Sequence, residues 1–241
     1  MKTPNKSCVI EDCLNCVDRQ QRLFCNLPDS VIAELQEMKV TAVYPRGALI
    51  CLEGQEPRGI FILCKGRAKL TTTSAEGKSI ILRIAEPGEI IGLSAVLSNS
   101  PYEATAEIIE AGQANFISRA DFLQFIRNNS EVGLRAADQL TRNCQCAYDE
   151  IRSIGLSKSA PEKLARLILK WSGSTAGHDG KAPSNLIRVT LTQEEIGQMV
   201  SSSRETVSRT LAEFRENGWL RTKGIAWTIL DRKALENLVT A

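Results

Sequence analysis

Four cysteines fall within the first 25 residues, Cys8, Cys13, Cys16 and Cys25, spaced C-x4-C-x2-C-x8-C. Four thiolates form a donor set for soft metals, and the Cys13-x2-Cys16 pair has the spacing of a metal-binding turn. The candidate occupants are an iron-sulfur cluster of two or four irons, or a zinc ion. Cys51 or Cys64 could be borrowed if one of the four is not used. The plain alternative is four reduced thiols in a packed segment, because free cysteine behaves as a small hydrophobe.

A second group suits a different chemistry. In the run Ser203, Arg204, Glu205, Thr206, Val207, Ser208, Arg209, apolar Val207 is followed by Leu211 and Phe214 at spacings of 4 and 3. A helix with that stripe turned inward leaves Arg204, Glu205, Ser208 and Arg209 outside. An arginine fork fits guanine O6 and N7, a glutamate accepts from cytosine N4, and a serine hydroxyl serves neighbouring base or phosphate atoms. By itself such a face could equally be solvated.

The elements around this run must hold it against DNA. Thr192-Gln193-Glu194-Glu195 is a capping-box pattern, and it introduces Ile196, Met199 and Val200 on one face of a short helix. Ser201-Ser202 then makes a tight polar turn, so the two helices can place the second in the major groove. Trp219 to Leu230, turning at Lys223-Gly224, reads as a hairpin wing beside the phosphates.

Upstream, Ser159-Ala160-Pro161-Glu162 caps another helix, reaching to about Trp171, and a Gly- and Ser-rich loop follows from 172 to 185. The long helical pattern from Glu131 to about Ile154 carries Ala137, Leu140, Cys144, Ala147, Ile151 and Ile154 at spacings of 3 and 4. This is a heptad seam suited to a parallel homodimer, or to packing on its own domain. Cys144 on such a seam approaches its mate, which adds an oxidation-linked disulfide as an option. From Val40 to Arg119, short β-branched runs such as Gly59 to Cys64, Ala68 to Thr73 and Ser79 to Ile84 are punctuated by regularly spaced glycines. They predict a compact antiparallel jelly roll. A helix start is expected at Pro28-Asp29-Ser30.

The predicted organisation is α+β: a cysteine-containing segment at 1–26, a sensory β-roll at 27–128, a dimerisation helix at 129–156 and a winged helix-turn-helix at 157–241. The 241 residues suffice for two cores. Net charge is only +2, but residues 159–241 hold 12 Lys+Arg against 9 Asp+Glu, so the basic excess lies in the C-terminal part with the DNA-reading pattern. The absence of an apolar run of 18 residues or of a signal-like start predicts a cytoplasmic protein without membrane partners. The single histidine, His178, sits in the predicted loop and argues against histidine-based catalysis, hence against an enzyme.

The segment TQEEIGQMVSSSRETVSRTLAEFRENGWL resembles the helix-turn-helix of the CRP/FNR family of bacterial transcription regulators. Gly88-x-x-x-Gly92, Pro45-x-Gly47 and Glu53-Gly54 resemble that family's β-roll. The resemblance runs from about Phe24 to the C-terminus. It implies a cyclic-nucleotide-binding-type β-roll, a dimerising helix and a winged helix reading palindromic promoter DNA beside RNA polymerase. Ser201 departs from the glycine that many members have in the turn. Glu205, Ser208 and Arg209 resemble the FNR-type reading set and Arg204 the CRP type, which implies a half-site containing TGA, as TTGA before TGTGA.

Cyclic-AMP receptors of the family hold the nucleotide with a glutamate just after the second glycine and with an arginine-serine pair. Here those positions are Leu93 and Ala104-Thr105, so cAMP is not the expected effector. Small apolar effectors remain open. The FNR branch carries an N-terminal cysteine cluster holding an oxygen-sensitive iron-sulfur centre, which places iron-sulfur ahead of zinc. Its last N-terminal interval is shorter than the eight residues here, and its fourth ligand comes from a β-roll position that is Asn115 in this chain. A redox or metal-binding enzyme carrying a winged helix, or a winged helix used only for protein contacts, are the competing readings. Neither explains Arg204, Glu205 and Arg209 on one helix face.

Overall fold

The computed structural model describes residues 12–156, 159–174 and 184–240. The chain divides into two compact units, one comprising residues up to Thr72 with Leu82–Cys144, the other Thr73–Ile81 with the residues from Gln145 onward. Cys8 and His178 lie outside the described residues.

In the first unit, α1 (Asp29–Met38) begins where Pro28 was expected to start a helix. It leads into β1 (Val40–Tyr44), β2 (Leu49–Cys51), β3 (Gly59–Thr73), β4 (Ser79–Ala85), β5 (Ile90–Ile91), α2 (Leu93–Ser98) and β6 (Thr105–Ser118). The sheet runs β1-β6-β3-β4, with β2 also on β6 and β5 on β3. The two runs expected as separate strands, Gly59 to Cys64 and Ala68 to Thr73, are one strand that bends between them. The register slips around Gly66, from Leu63 opposite Ala114, to Lys65 opposite Gln113, to Arg67 opposite Glu110. Gly66 has φ +81°, and a Cβ there would lie 2.4 Å from the Glu110 carbonyl oxygen. The glycine that separated the two runs in the sequence is thus the residue that lets one strand bulge.

Two apolar clusters back this sheet. One joins Phe24, Ile32, Leu35, Ile62, Phe122 and Phe125. The other is built of smaller residues inside the roll, among them Leu63, Ala68, Ala95, Ala104 and Ala106. After α3 (Arg119–Asn128), capped by the Ser118 hydroxyl, comes α4 (Ser130–Leu156), close to the predicted long helix.

The second unit contains α5 (Ala160–Ser174), β7 (Leu186–Arg188), α6 (Gln193–Met199), α7 (Arg204–Glu216), β8 (Leu220–Lys223), β9 (Ala226–Ile229) and α8 (Arg232–Thr240). The expected hairpin wing is β8 and β9, with Gly224 at φ +57° in its turn, and β7 adds a third strand on β9. Leu164, Ile168, Ile196, Val207, Leu211 and Phe214 meet in its core. That burial of one stripe on each helix fixes which face of α7 remains outside.

Candidate nucleic-acid interface and thiol cavity

The helix-turn-helix is built from its caps. Thr192 accepts from the Glu195 amide at 3.2 Å while the Glu195 carboxylate accepts from the Thr192 amide at 2.8 Å, the reciprocal capping box expected from the sequence. The turn closes with the Ser202 amide donating to the Gly197 carbonyl at 2.9 Å. Ser201 takes the left-handed conformation, φ +51°, at the position where glycine was noted as the usual residue. Ser203 caps α7 by accepting from the Thr206 amide at 3.2 Å.

Val207, Thr210, Leu211 and Phe214 are buried, and Arg204, Glu205, Ser208 and Arg209 are all exposed. Hydrogen bonds from its own amide and then from Ser203, aided by nearby Arg204, hold the Glu205 carboxyl below the usual range, so it is ionised. The arrangement offers two guanidinium groups, a carboxylate acceptor and a hydroxyl within the first two turns of one helix. Arg215 donates to Thr222 at 3.5 Å, linking α7 to the wing strand β8.

A second feature lies in the first unit. Cys13, Cys16 and Cys25 line a cavity of about 20 Å³ together with Cys64 of β3. Its walls are completed by apolar Ile32, Leu35 and Ile62 and by two polar side chains, Arg22 and Asn115. The Cys16 amide donates to the Cys13 carbonyl at 3.4 Å, closing the x2 turn, and the Cys13 amide donates to Gln36 of α1 at 2.8 Å. Arg22 donates to Cys16 Sγ at 3.9 Å and pairs with Asp18 at 2.8 Å. Asn115 Nδ2 donates to Cys13 Sγ at 3.9 Å, and Asn115 Oδ1 accepts from the Thr41 hydroxyl at 2.9 Å.

Burial pushes the Cys25 thiol up to about 12 and the Cys64 thiol up to about 11, and also raises Cys13. Such thiols carry their protons at neutral pH until a cation replaces them. Among the described residues no three His, Cys, Asp or Glu side chains converge closely enough to hold a metal ion as they stand. Donor chemistry and enclosure fit a thiophilic metal; the sulfurs must still draw together. Sequence reasoning had no signal for Arg22 as a thiol partner; Asn115 was marked only as the position of a family ligand, and its role as an N–H donor comes from a pairing that only the fold creates.

The predicted seam residues divide. Ala137, Cys144, Ala147 and Ile151 are exposed on α4, whereas Leu140 is half-buried against the α1 and α3 cluster of its own unit. The side chain of Ile154 is outside the described ones. Exposed Leu134, Thr141 and Tyr148 alternate with Ala137, Cys144 and Ile151 along the same stripe.

Two family models match the chain: a cyclic nucleotide-binding domain over residues 41–129 and a Crp-like helix-turn-helix domain over residues 162–238. The chain belongs to the CRP/FNR family of transcription regulators. This CRP/FNR regulator is 27% identical over 215 residues to a CRP-like cAMP-activated global transcriptional regulator of Mycobacterium tuberculosis, covering 88% of this chain and 94% of the relative. The transcriptional activatory protein AadR of Rhodopseudomonas palustris is 26% identical over 197 residues, covering 82% and 80%. In fold it is similar to FixK2 from Bradyrhizobium japonicum, with a TM-score of 0.73 and 20% identity, over 84% of this chain and 98% of the other. These relatives are regulators and not enzymes, and no helix among the described residues is long and apolar enough to cross a membrane.

In this CRP/FNR regulator the three roll positions singled out in the sequence are placed as follows. Leu93 is buried at the start of α2, and Ala104 is buried in the roll cluster. The Thr105 hydroxyl accepts from the Glu53 amide at 3.0 Å.

Proposed function

We propose that the chain is a homodimeric, cytoplasmic regulator that reads a TGA-containing inverted repeat at promoters, in company with RNA polymerase. The observation that carries this is the exposure of Arg204, Glu205, Ser208 and Arg209 together on the N-terminal half of α7 while the opposite stripe is buried. Two such helices related by a dimer axis enter successive major grooves about one helical turn apart. The dimer seam runs along α4 through Ala137, Cys144 and Ile151. The organisation read from the sequence goes with this: segment 1–26, sensory roll 27–128, dimer helix 129–156 and DNA-binding domain 157–241.

The signal enters through a metal centre on the N-terminal thiols, iron-sulfur ahead of zinc, and not through cAMP. The cavity shared by Cys13, Cys16 and Cys25 supports this reading. When bound, an iron-sulfur centre supplies redox and oxygen sensitivity. The protein's own part is to hold the thiols against α1 and to turn two N–H donors toward their sulfurs. Selection from random DNA by the anaerobically purified protein tests the whole reading. Recovery of a TGA-containing palindrome is expected, and recovery of no palindrome overturns it.

A further inference from the structure

We propose that the metal-binding set is Cys13, Cys16, Cys25 and Cys64, so that the fourth ligand is a strand cysteine instead of Cys8. The inference rests on the metal-centred reading above and names its ligands.

Cys64 reaches the cavity because strand residues two apart share a face, and Ile62 already lines it. Leu63 faces Ala114 and Lys65 faces Gln113, which leaves Cys64 as the extra residue between two consecutive partners on β6. Cys64 lines the same cavity as Ile62, while Leu63 packs into the roll cluster.

The β6 position is filled in a different way. Thr41 holds Asn115 Oδ1, which fixes the amide so that Nδ2 donates to Cys13 Sγ. Asn115 is thus a donor to a sulfur, and the thiol that it does not supply is provided by the neighbouring strand. Arg22 plays the matching part at Cys16. It packs against Gly88, where a Cβ would lie 2.8 Å from the arginine Cβ and Cγ. A buried guanidinium and two N–H···S bonds offset the negative charge of a tetrathiolate and tune what it holds.

The remaining described cysteines are placed elsewhere. Cys51 is buried in the roll cluster and its thiol donates to the Ala104 carbonyl at 3.8 Å. Cys144 and Cys146 are exposed on α4. The cavity has room for about one water-sized body. A single ion needs the sulfurs to draw together, whereas a multi-iron cluster needs more room than this cavity has. In either case four S–H groups release four protons to solvent as four sulfur–metal bonds form, with zinc, or with ferrous and ferric iron in equal number and sulfide for a four-iron cluster, as the supplied reactants.

The test loads full-length protein anaerobically, in one arm with ferrous iron, ferric iron and sulfide and in the other with zinc. Metal and sulfide per chain are measured with the absorption spectrum. Cys8→Ser and Cys51→Ser are expected to load like wild type. Cys64→Ser is expected to lose metal affinity by at least ~100-fold, more than the loss of an outer-sphere partner, and Cys64→Ser/Asn115→Cys to regain it. X-ray absorption at the metal edge, which needs no Cys64 variant, should count the same sulfur neighbours in wild type and Cys8→Ser. Loss of a sulfur neighbour in Cys8→Ser, or full loading of Cys64→Ser, overturns this ligand set and leaves the metal reading intact. A wild type that takes up neither iron-sulfur nor zinc overturns both.

Discussion

The side-chain amide of Gln139 on α4 grips both backbone groups of Ile90 on β5. Its Oε1 accepts from the Ile90 amide at 2.9 Å and its Nε2 donates to the Ile90 carbonyl at 2.7 Å, with both residues buried. A buried polar side chain satisfied twice by one residue locks the helix to the strand that precedes Gly92 and α2. Gln139→Leu keeps the volume but strands two buried backbone groups. It should destabilise the first unit by about 2–6 kcal/mol, at roughly 1–3 kcal/mol for each unsatisfied group, read as a drop in the denaturant midpoint.

Gly197 and Ser201 make opposite predictions for the turn. A Cβ on Gly197 would come 2.7 Å from the Ser202 carbonyl oxygen, so Gly197→Ala should cost about 1–3 kcal/mol through overpacking and lower operator affinity by displacing α7. Ser201 sits at φ +51°, and Ser201→Gly should raise stability by up to about 1 kcal/mol by relieving the left-handed strain. Thermal unfolding of the two variants, compared with gel-shift titration, checks both signs.

These residues also mark where the sequence could be read and where it could not. The capping box of Thr192 and Glu195, the cap at Ser203 and the inward stripe of Val207, Leu211 and Phe214 are local patterns, within reach of short-range spacing. The thiol cavity is not local. Asn115 and Cys13 stand 102 residues apart, and which strand cysteine joins them depends on which face of β3 meets the N-terminal segment. The heptad on α4 was legible as a period, yet the period could not say that Leu140 faces its own α1 and α3 cluster. Spacing gives the angle between side chains on a helix, and packing decides which angle is inside.

Cyclic AMP should leave this protein unchanged. A ligand at 100 times its dissociation constant adds about 2.7 kcal/mol to stability. With Leu93 buried and Ala104-Thr105 in place of the arginine-serine pair, neither of those two residues offers a cation to a phosphate. Excess cAMP should shift neither the melting temperature nor the operator affinity; a rise in either would show that other residues bind it.

The α4 seam separates into two kinds of position. Ile151→Glu places a charge on the exposed stripe and should weaken dimerisation by several kcal/mol, roughly, with the folded monomer retained. Leu140→Glu should instead lower the melting temperature of the protomer itself, because Leu140 packs within it. Mild oxidation should cross-link wild type through paired Cys144 residues and spare Cys144→Ser. Sedimentation that finds wild type monomeric both free and on DNA would rule the seam out.

Arg209 carries the last prediction. It stands on the second exposed turn of α7, beside Ser208 and one turn from Glu205, and its guanidinium can meet guanine O6 and N7 with two donors. Arg209→Ala leaves the buried stripe untouched, so the unfolding transition should stay where it is. Affinity for the TGA half-site should fall by about 1–3 kcal/mol per contact, and preference at the guanine should relax. Changing Lys223 of the wing, a phosphate-type contact, should weaken all sequences alike and reduce the salt dependence by about one ion. Binding measured against guanine-substituted operators distinguishes the two: an Arg209→Ala protein that still discriminates guanine at full strength would move base reading to Arg204.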